Sequence, residues 1–192
     1  MNKAAYLWLK WKAIAFLVIG RKAPALQIFN RMLQRWPDDT YALASRAHVL
    51  AQSGRRDDAL ADLLRLTQAE PGNGRHWFNL GYMFEEAGRW DEALAAFTRC
   101  TELSPTLDRA WYGLGLVLIR LKRYDEAVLA LKRNTELQPM SPYGWYQLAR
   151  VHAERNDNAS AAKIIRHLKG FEPKVAAQLE RETGLQVGAV AS

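Results

Sequence analysis

The chain has 192 residues, of which 49% are hydrophobic and 24% are charged, a composition that excludes an intrinsically disordered chain. The single cysteine, Cys100, excludes an internal disulfide. Cysteine and histidine form no cluster with the spacing of metal ligands, so the sequence predicts no metal site and no cofactor, and it favours a reducing compartment such as the cytoplasm.

The net charge of +7 belongs to the N-terminal segment. Seven of the 27 basic residues precede the first acidic residue, Asp38, and the other 20 balance the 20 acidic residues. A nucleic-acid-binding face along the whole protein would need an excess of basic residues beyond this segment. We therefore expect no nucleic-acid partner.

The first predicted element is a helix over residues 4–19, AAYLWLKWKAIAFLVI. Its longest uninterrupted apolar run, residues 13–20, is far short of the roughly 20 residues that span a bilayer. Three interpretations stay open: a first repeat helix with solvated lysines, a helix that docks on a partner or an anionic membrane, or a signal peptide removed after Ala25. The docking hypothesis rests on Trp8, Lys10, Trp11, Lys12 and Phe16.

The rest of the chain is organised by a 34-residue period. Prolines recur at this step at Pro37, Pro71, Pro105, Pro139 and Pro173. The same step relates Trp77, Trp111 and Trp145; Gly81, Gly115 and Ala149; Ala93, Ala127 and Ala161; and Phe97, Leu131 and Ile165. Several columns in one phase predict an array of equal structural units.

The residue pattern of each 34-residue repeat predicts two helices that form a hairpin. A Trp-x-x-Leu-Gly-like segment predicts the first helix and an Ala-x-x-x-Phe-like segment the second, because their apolar residues lie three and four apart. Between the two helices we expect a left-handed residue, at Gly20, Gly54, Gly88, Lys122 and Asn156. The second helices begin with acidic pairs, which we expect to cap free amides, at Asp57 and Asp58, Asp91 and Glu92, and Asp125 and Glu126.

These columns resemble those of the tetratricopeptide repeat. The resemblance implies an all-α, right-handed superhelical solenoid of helix-turn-helix repeats. Its expected parts are an N-terminal basic and apolar helix with a divergent first repeat (1–39), four repeats (40–73, 74–107, 108–141 and 142–175), and a capping helix with a loose tail (176–192).

The resemblance also implies that the first helix of each hairpin lines a concave groove, in which members of the family bind peptides or partner proteins. Tyrosine and arginine are abundant at the inner positions, and both are enriched in binding hot spots. The candidate groove residues are Tyr41, His48, Arg75, Phe78, Asn79, Tyr82, Arg109, Tyr112, Arg120, Tyr143, Tyr146, Gln147 and Arg150. We expect a protein or peptide partner with acidic and apolar residues.

Catalysis is not indicated. Cys100 falls in the small-residue column of a second helix, where cysteine acts as a small hydrophobe. His48 and His152 are expected to face the groove, but they share no catalytic spacing with other polar residues. The sequence therefore predicts a non-enzymatic adaptor in the cytoplasm or at the inner face of the membrane. The alternatives are an accessory subunit of a membrane-associated assembly docked by its N-terminal helix, and a regulator of an enzyme on another chain.

Overall fold

The structure is a computed structural model that describes residues 3–188, and within this range all regular structure is helical. The helices are α1 (Lys3–Val18), α2 (Lys22–Arg35), α3 (Thr40–Gln52), α4 (Arg56–Ala69), α5 (Gly74–Glu86), α6 (Trp90–Leu103), α7 (Asp108–Arg120), α8 (Tyr124–Leu137), α9 (Pro142–Glu154), α10 (Asn158–Lys169) and α11 (Pro173–Thr183). Each of the four predicted repeat ranges holds two of these helices. The predicted all-helical fold is confirmed.

The chain forms two compact units, divided between Gly88 and Arg89. In the first unit, each helix from α1 to α5 packs on the next, around fully buried side chains that include Phe29, Met32 and Leu66. In the second unit, α6 to α10 pack in the same sequential way, and α11 packs on both α9 and α10. Phe97, Leu131 and Ile165, from one column of the sequence, are buried in the second unit.

The turns between paired helices contain the left-handed residues that the sequence predicts. The positive φ angles are 74° at Gly20, 77° at Gly54, 70° at Gly88, 58° at Lys122 and 59° at Asn156. A side chain with a Cβ atom adopts this conformation at a cost, and asparagine tolerates it better than lysine does. The prediction is confirmed at all five positions.

The small-residue columns mark places where helices approach closely. A Cβ atom added to Gly115 on α7 would lie 2.7 Å from the Leu131 side chain on α8. One added to Gly113 would lie 2.6 Å from the ring of Phe97 on α6. These distances are below van der Waals contact, so glycine is what allows α7 to pack this closely on its neighbours.

The acidic pairs lie in the first turns of α4, α6 and α8, as predicted, but the expected amide capping needs correction. The N-cap residue of each helix is an arginine that makes no side-chain cap. The second acid of each pair binds this arginine, at 2.7 Å for Arg55 and Asp58, 2.6 Å for Arg89 and Glu92, and 2.6 Å for Arg123 and Glu126. The acids therefore favour the helix start through the helix dipole and an exposed ion pair.

Helix α1 packs on α2 as the first helix of an ordinary hairpin. Ala13 is fully buried, and the rings of Tyr6 and Trp36 meet edge to face at 5.2 Å. The Nζ atom of Lys10 lies 4.1 Å from the centre of the Tyr41 ring. Residues 3–18 therefore pack as a first repeat helix, while docking of the exposed face of this helix on a partner or a membrane stays a prediction, and residues 1 and 2 lie outside the described part.

Helix α11 covers the last hairpin with Ala176 and Leu179, which are both fully buried. Beyond Gly184 the chain differs from the predicted loose tail, because Val187 is only 6% exposed. The backbone N–H of Val187 donates to the Glu180 carboxylate, which also binds Lys169 at 2.8 Å. The tail is therefore packed as far as residue 188, and residues 189–192 lie outside the described range.

Candidate functional site

In the first unit, three of the candidate groove residues surround one small pocket. His48 comes from α3, and Asn79 and Tyr82 come from α5. The pocket has a volume of about 150 Å³, and its apolar lining consists of Ala44, Ala47, Ala51, Leu63 and Met83. The alanines on one face of α3 leave room that larger side chains would fill. The result is an apolar depression with a polar rim.

The rim is accessible and carries hydrogen-bonding groups. His48 is exposed and shares a hydrogen bond of 2.9 Å with Gln52, one turn later. Tyr82 is 50% exposed, and Asn79 is also exposed. Arg75 lies one turn before Asn79 on α5 and is exposed, while Phe78 is half-buried. Such a surface can bind an apolar side chain and hydrogen-bond to the polar groups beside it.

In the second unit, Tyr143 and Tyr146 line a cleft of about 240 Å³ between α9 and α11. Tyr143 is 70% exposed, and Arg109, Arg120 and Arg150 are also exposed. Tyr112 and Gln147 are half-buried. These residues give the first helices of this unit an accessible surface rich in tyrosine and arginine.

The hydroxyl of Tyr146 already has an acceptor within the chain. It donates to the Glu182 carboxylate on α11, with distances of 2.7 and 2.9 Å to the two oxygens, and Gln178 binds the same carboxylate at 2.8 Å. Burial, followed by this hydrogen bond, raises the pKa of Tyr146. The bond to Tyr146, followed by that to Gln178, lowers the pKa of Glu182. A carboxylate is therefore accommodated at one predicted groove position.

Two predicted groove positions are placed differently in the structure. Tyr41 lies between the Phe29 ring, 6.4 Å away, and the ammonium of Lys10, so it packs within the first hairpins. His152 is only 5% exposed, and its Nδ1 atom lies 2.8 Å from the Asp157 carboxylate. The expectation that His152 faces the groove is wrong, because its position on α9 belongs to the buried side of the helix.

The five candidate docking residues of α1 differ in exposure. Trp8 and Trp11 are 59% and 65% exposed, and the ammonium of Lys12 lies 4.6 Å from the centre of the Trp8 ring. Lys10 and Phe16 are half-buried. Trp8, Trp11 and Lys12 are therefore the more accessible part of the set.

Over residues 3–188, no group of three or more histidine, cysteine, aspartate or glutamate side chains is arranged to hold a metal ion. Cys100 is fully buried on α6. Among the described helices, none combines the length and the apolar character needed to cross a membrane.

Comparison with known families decides the nature of the repeat. Two family models, both of the tetratricopeptide repeat, match residues 45–108 and 85–146. The chain belongs to the tetratricopeptide repeat family. Together the two matches span more than half of the chain, and they cover both helices of the repeat 74–107.

Solved tetratricopeptide repeat structures share the fold over most of the chain. MamA from Desulfovibrio magneticus RS-1 is 20% identical with a TM-score of 0.78, and the match covers 95% of this chain and 98% of that one. YrrB, described as a TPR protein with an unusual peptide-binding site, is 18% identical with a TM-score of 0.79 and 88% of each chain covered. A tetratricopeptide repeat protein from Parabacteroides merdae is 19% identical with a TM-score of 0.82, covering 94% of this chain and 74% of that one. A search of curated proteins gives no match.

The tryptophan and proline columns of the tetratricopeptide repeats are joined by a hydrogen bond that sequence reasoning missed. The indole N–H donates to the proline carbonyl six residues earlier, at 2.9 Å for Trp77 and Pro71, 2.9 Å for Trp111 and Pro105, and 2.8 Å for Trp145 and Pro139. In the repeat that has Leu43 at the tryptophan position, Arg65 binds the Pro37 carbonyl. The constant six-residue spacing between the two columns is the sequence signal from which this bond could have been predicted.

Proposed function

We propose that this protein is a non-enzymatic adaptor or scaffold that binds a peptide or partner segment on the exposed surface of its first helices. The observation that carries the proposal is the pocket between α3 and α5, where His48, Asn79 and Tyr82 surround an apolar floor. Its expected location, the cytoplasm or the inner face of the membrane, stays a prediction.

The chemistry of this surface favours a partner with apolar and acidic residues. A pocket of about 150 Å³ lined by alanine, leucine and methionine side chains suits one aliphatic side chain. The exposed guanidinium of Arg75 lies on the same helix and suits a carboxylate. The contact of Tyr146 with Glu182 gives an intramolecular example of an acidic group bound by a groove tyrosine. The peptide-binding description of YrrB, which shares the fold, supports the same reading.

The test begins with peptides selected on the immobilised protein from a random display library. Fluorescence polarisation then gives the Kd of a selected peptide for the wild type and for Tyr82→Ala and Asn79→Ala. We expect each variant to weaken binding about tenfold, the effect of losing a hot-spot side chain worth about 1.4 kcal/mol.

The matched control is Leu64→Ala, which truncates another exposed side chain of the same unit, on α4 and outside the pocket. It should leave the Kd unchanged. Selected peptides whose affinity is the same for Tyr82→Ala, Asn79→Ala and the control would show that the pocket does not bind them.

The exposed face of α1 favours a second candidate, an accessory subunit of a membrane-associated assembly. Trp8, Trp11 and Val18 lie at helical spacing and are 59%, 65% and 80% exposed. Tryptophan and aliphatic side chains beside lysine are typical of helices that lie in a membrane interface. Lys12, exposed beside Trp8, supplies the attraction to an anionic headgroup, about 1 kcal/mol for each such residue.

Co-sedimentation with vesicles tests this candidate. The wild type should pellet with phosphatidylserine-rich vesicles and stay in the supernatant with neutral ones, and Trp8→Ser with Trp11→Ser should abolish pelleting. The control is Leu129→Ser, which removes a side chain 68% exposed in the second unit. Wild-type protein that stays in the supernatant with both kinds of vesicle eliminates the membrane version.

A further inference from the structure

A second cavity lies in the last hairpin region of the second unit, among α8, α9 and α10. Its volume is about 460 Å³, and Trp145, Leu148 and Ile164 contribute its apolar lining. Trp145, Leu148 and His152 project from a different side of α9 than the groove candidates Tyr143, Tyr146 and Arg150. The cavity is therefore distinct from the proposed partner-binding surface.

The repeat supplies a matched comparison, because the equivalent cavity occurs 34 residues earlier, among α6, α7 and α8, with a volume of about 400 Å³. Trp111 and Leu114 occupy the places of Trp145 and Leu148. The remaining positions differ in chemistry. Thr98, Leu118 and Leu129 of the earlier cavity are replaced by Lys132, His152 and Lys163. The later cavity gains two lysines, and the Arg123 of the earlier cavity is replaced by Asp157.

The five repeats serve as an internal alignment, and three columns change only in the last repeat. His152 follows Phe16, Leu50, Phe84 and Leu118. His167 follows Arg31, Arg65, Arg99 and Arg133. Asp157 follows Arg21, Arg55, Arg89 and Arg123. Ser160 likewise replaces the acids Asp58, Glu92 and Glu126. His152, Ser160 and His167 all line the cavity, so departures from the repeat converge in space.

Three of the residues that depart from the repeat are joined by hydrogen bonds. The Nδ1 atom of His152 lies 2.8 Å from one Asp157 oxygen, and the other oxygen accepts the backbone N–H of Ser160 at 3.1 Å. Hydrogen bonds from the Ser160 hydroxyl, then from its backbone, and then from His152 lower the pKa of Asp157. Asp157 therefore fixes the His152 ring through Nδ1. The Nε2 atom is left as the nitrogen that can serve the cavity.

The aromatic side chains of the cavity, Trp145 and His167, are also held in place by contacts within the chain. The indole N–H of Trp145 donates to the Pro139 carbonyl at 2.8 Å, which holds the ring in place. The imidazole of His167 lies 4.6 Å from the Trp145 ring and 5.3 Å from that of Phe171. The rings of Trp145 and His167, tilted at 59° to each other, lie in the same cavity as Lys132 and Lys163, which are exposed.

The fold explains Asp157 and Ser160, because the Asp157 side chain caps the start of α10, but it does not explain His152. The same column is filled by phenylalanine or leucine in four repeats, and a buried histidine costs desolvation that those residues avoid. The capping helix α11 does not account for this histidine, since the lining side chains of this cavity come from α8, α9 and α10. A ligand that uses the added groups does account for it.

We propose that this cavity binds a small anionic molecule with a planar ring, of the class of aromatic carboxylates or phosphate monoesters. Lys132, Lys163 and the two histidines line the cavity with one acid, Glu136, which Arg133 binds at 2.9 Å, and the nearby Asp157 carboxylate is bound by His152 and Ser160. The ring packs against Trp145 and the aliphatic floor, and the anionic group lies between the lysines. The volume falls within the range of small-molecule sites, about 300–1,000 Å³.

Isothermal titration calorimetry of the full chain with three probes tests the proposal. The probes are 2-naphthoate, 2-naphthyl phosphate and the neutral 2-naphthylmethanol, which share a ring and differ in charge. At least one anion should bind at least tenfold more tightly than the alcohol, and the stronger anion identifies the carboxylate or the phosphate class. No binding of either anion, or equal binding of the alcohol, would overturn the proposal.

The variant copies residues that the chain itself uses in its other repeats. Lys132→Thr with Lys163→Leu recreates these two positions of the earlier cavity. It should weaken anion binding at least tenfold while the melting temperature is unchanged. The charge-matched control, Arg166→Leu with Lys174→Thr, changes two exposed basic residues outside the cavity and should keep wild-type affinity. Equal affinity in the cavity variant and this control would show that the anion binds elsewhere and that the proposal is wrong.

Discussion

The first and last helices of the chain have opposite surfaces. Helix α11 buries Ala176 and Leu179 and exposes polar side chains such as Gln178 and Arg181. Helix α1 buries Ala13 and exposes Trp8, Trp11 and Val18. A repeat array needs a polar face at its end to remain soluble, and α11 supplies one. The exposed apolar face of α1 is the surface on which the second proposed function depends.

The largest expected effect comes from truncating the buried residue of α11. Leu179→Ala should lower the free energy of unfolding by about 2–5 kcal/mol, because it removes a fully buried side chain and leaves a cavity. Trp11→Ala, at the exposed face of α1, should change it by less than about 0.5 kcal/mol. Urea denaturation followed by circular dichroism measures both.

A comparable loss in Trp11→Ala would contradict the contrast between the two helices. It would mean that the face of α1 is covered in the isolated protein, for example by a second copy of the chain. Sedimentation velocity on the same samples separates these cases.

A smaller and equal effect is expected where the two helices end. Gly20 after α1 has a φ of 74° and Gly184 after α11 has a φ of 72°, and at neither would an added Cβ meet an atom within 4 Å. Gly20→Ala and Gly184→Ala should each cost about 1 kcal/mol, from backbone strain alone. Gly72→Ala, also in open space but without a positive φ, is the control and should leave the urea midpoint unchanged. Unequal losses would show that the helices differ in how they end as well as in their faces.

Much of the fold could be predicted because local chemistry repeats. Positions that need a left-handed residue carried glycine three times, so Lys122 and Asn156 could be placed in the same role by register alone. Close approach at Gly115 followed from a column of small residues in the same way. A period of 34 residues fixes which side chains are equivalent, and that is enough to position helices.

The surfaces were harder to predict, because they depend on partners that are distant in sequence. The inward direction of His152 is set by Asp157 and the packing of α9, and the covering of Tyr41 is set by Lys10 of another helix. The sequence showed that α1 is broadly apolar. It did not show that Lys10 contacts Tyr41 whereas Lys12 contacts Trp8. The departures at His152, Ser160 and His167 are visible in the repeat columns, but their meeting in one cavity depends on the packing of α9 and α10.

Acid should loosen the last helix. The pKa of Glu182 is lowered by its bond to Tyr146, then by Gln178, so this carboxylate stabilises α11 fully above its ordinary pKa and progressively less as pH falls through its lowered value. Glu182→Gln should be less stable than the wild type at pH 7, and the difference should shrink toward pH 3. The urea midpoints of both proteins over this range measure it. A difference that stays constant with pH would show that ionised Glu182 is not the stabilising form.

Raising the pH should weaken the packing of α1, because here it is the neutral form of a side chain that is stabilising. Burial, followed by a hydrogen bond to Asp39, raises the pKa of Tyr6 to about 12, so it is the neutral phenol that holds α1 against the start of α3. The contribution is fully present below the ordinary pKa near 10 and is lost as pH rises from there toward 12. Because the pKa of Tyr146 is also raised, the absorbance of tyrosinate near 295 nm is recorded in Tyr146→Phe, where one fewer tyrosine should titrate near pH 10 in the folded than in the urea-unfolded chain, and adding Tyr6→Phe should remove the late-titrating group. Because a single hydrogen bond is at stake, this is the smallest of the expected effects. If the late titration persists in Tyr6→Phe, the protected phenol belongs to another tyrosine, and the alkaline sensitivity of α1 would have to come from a contact other than Asp39.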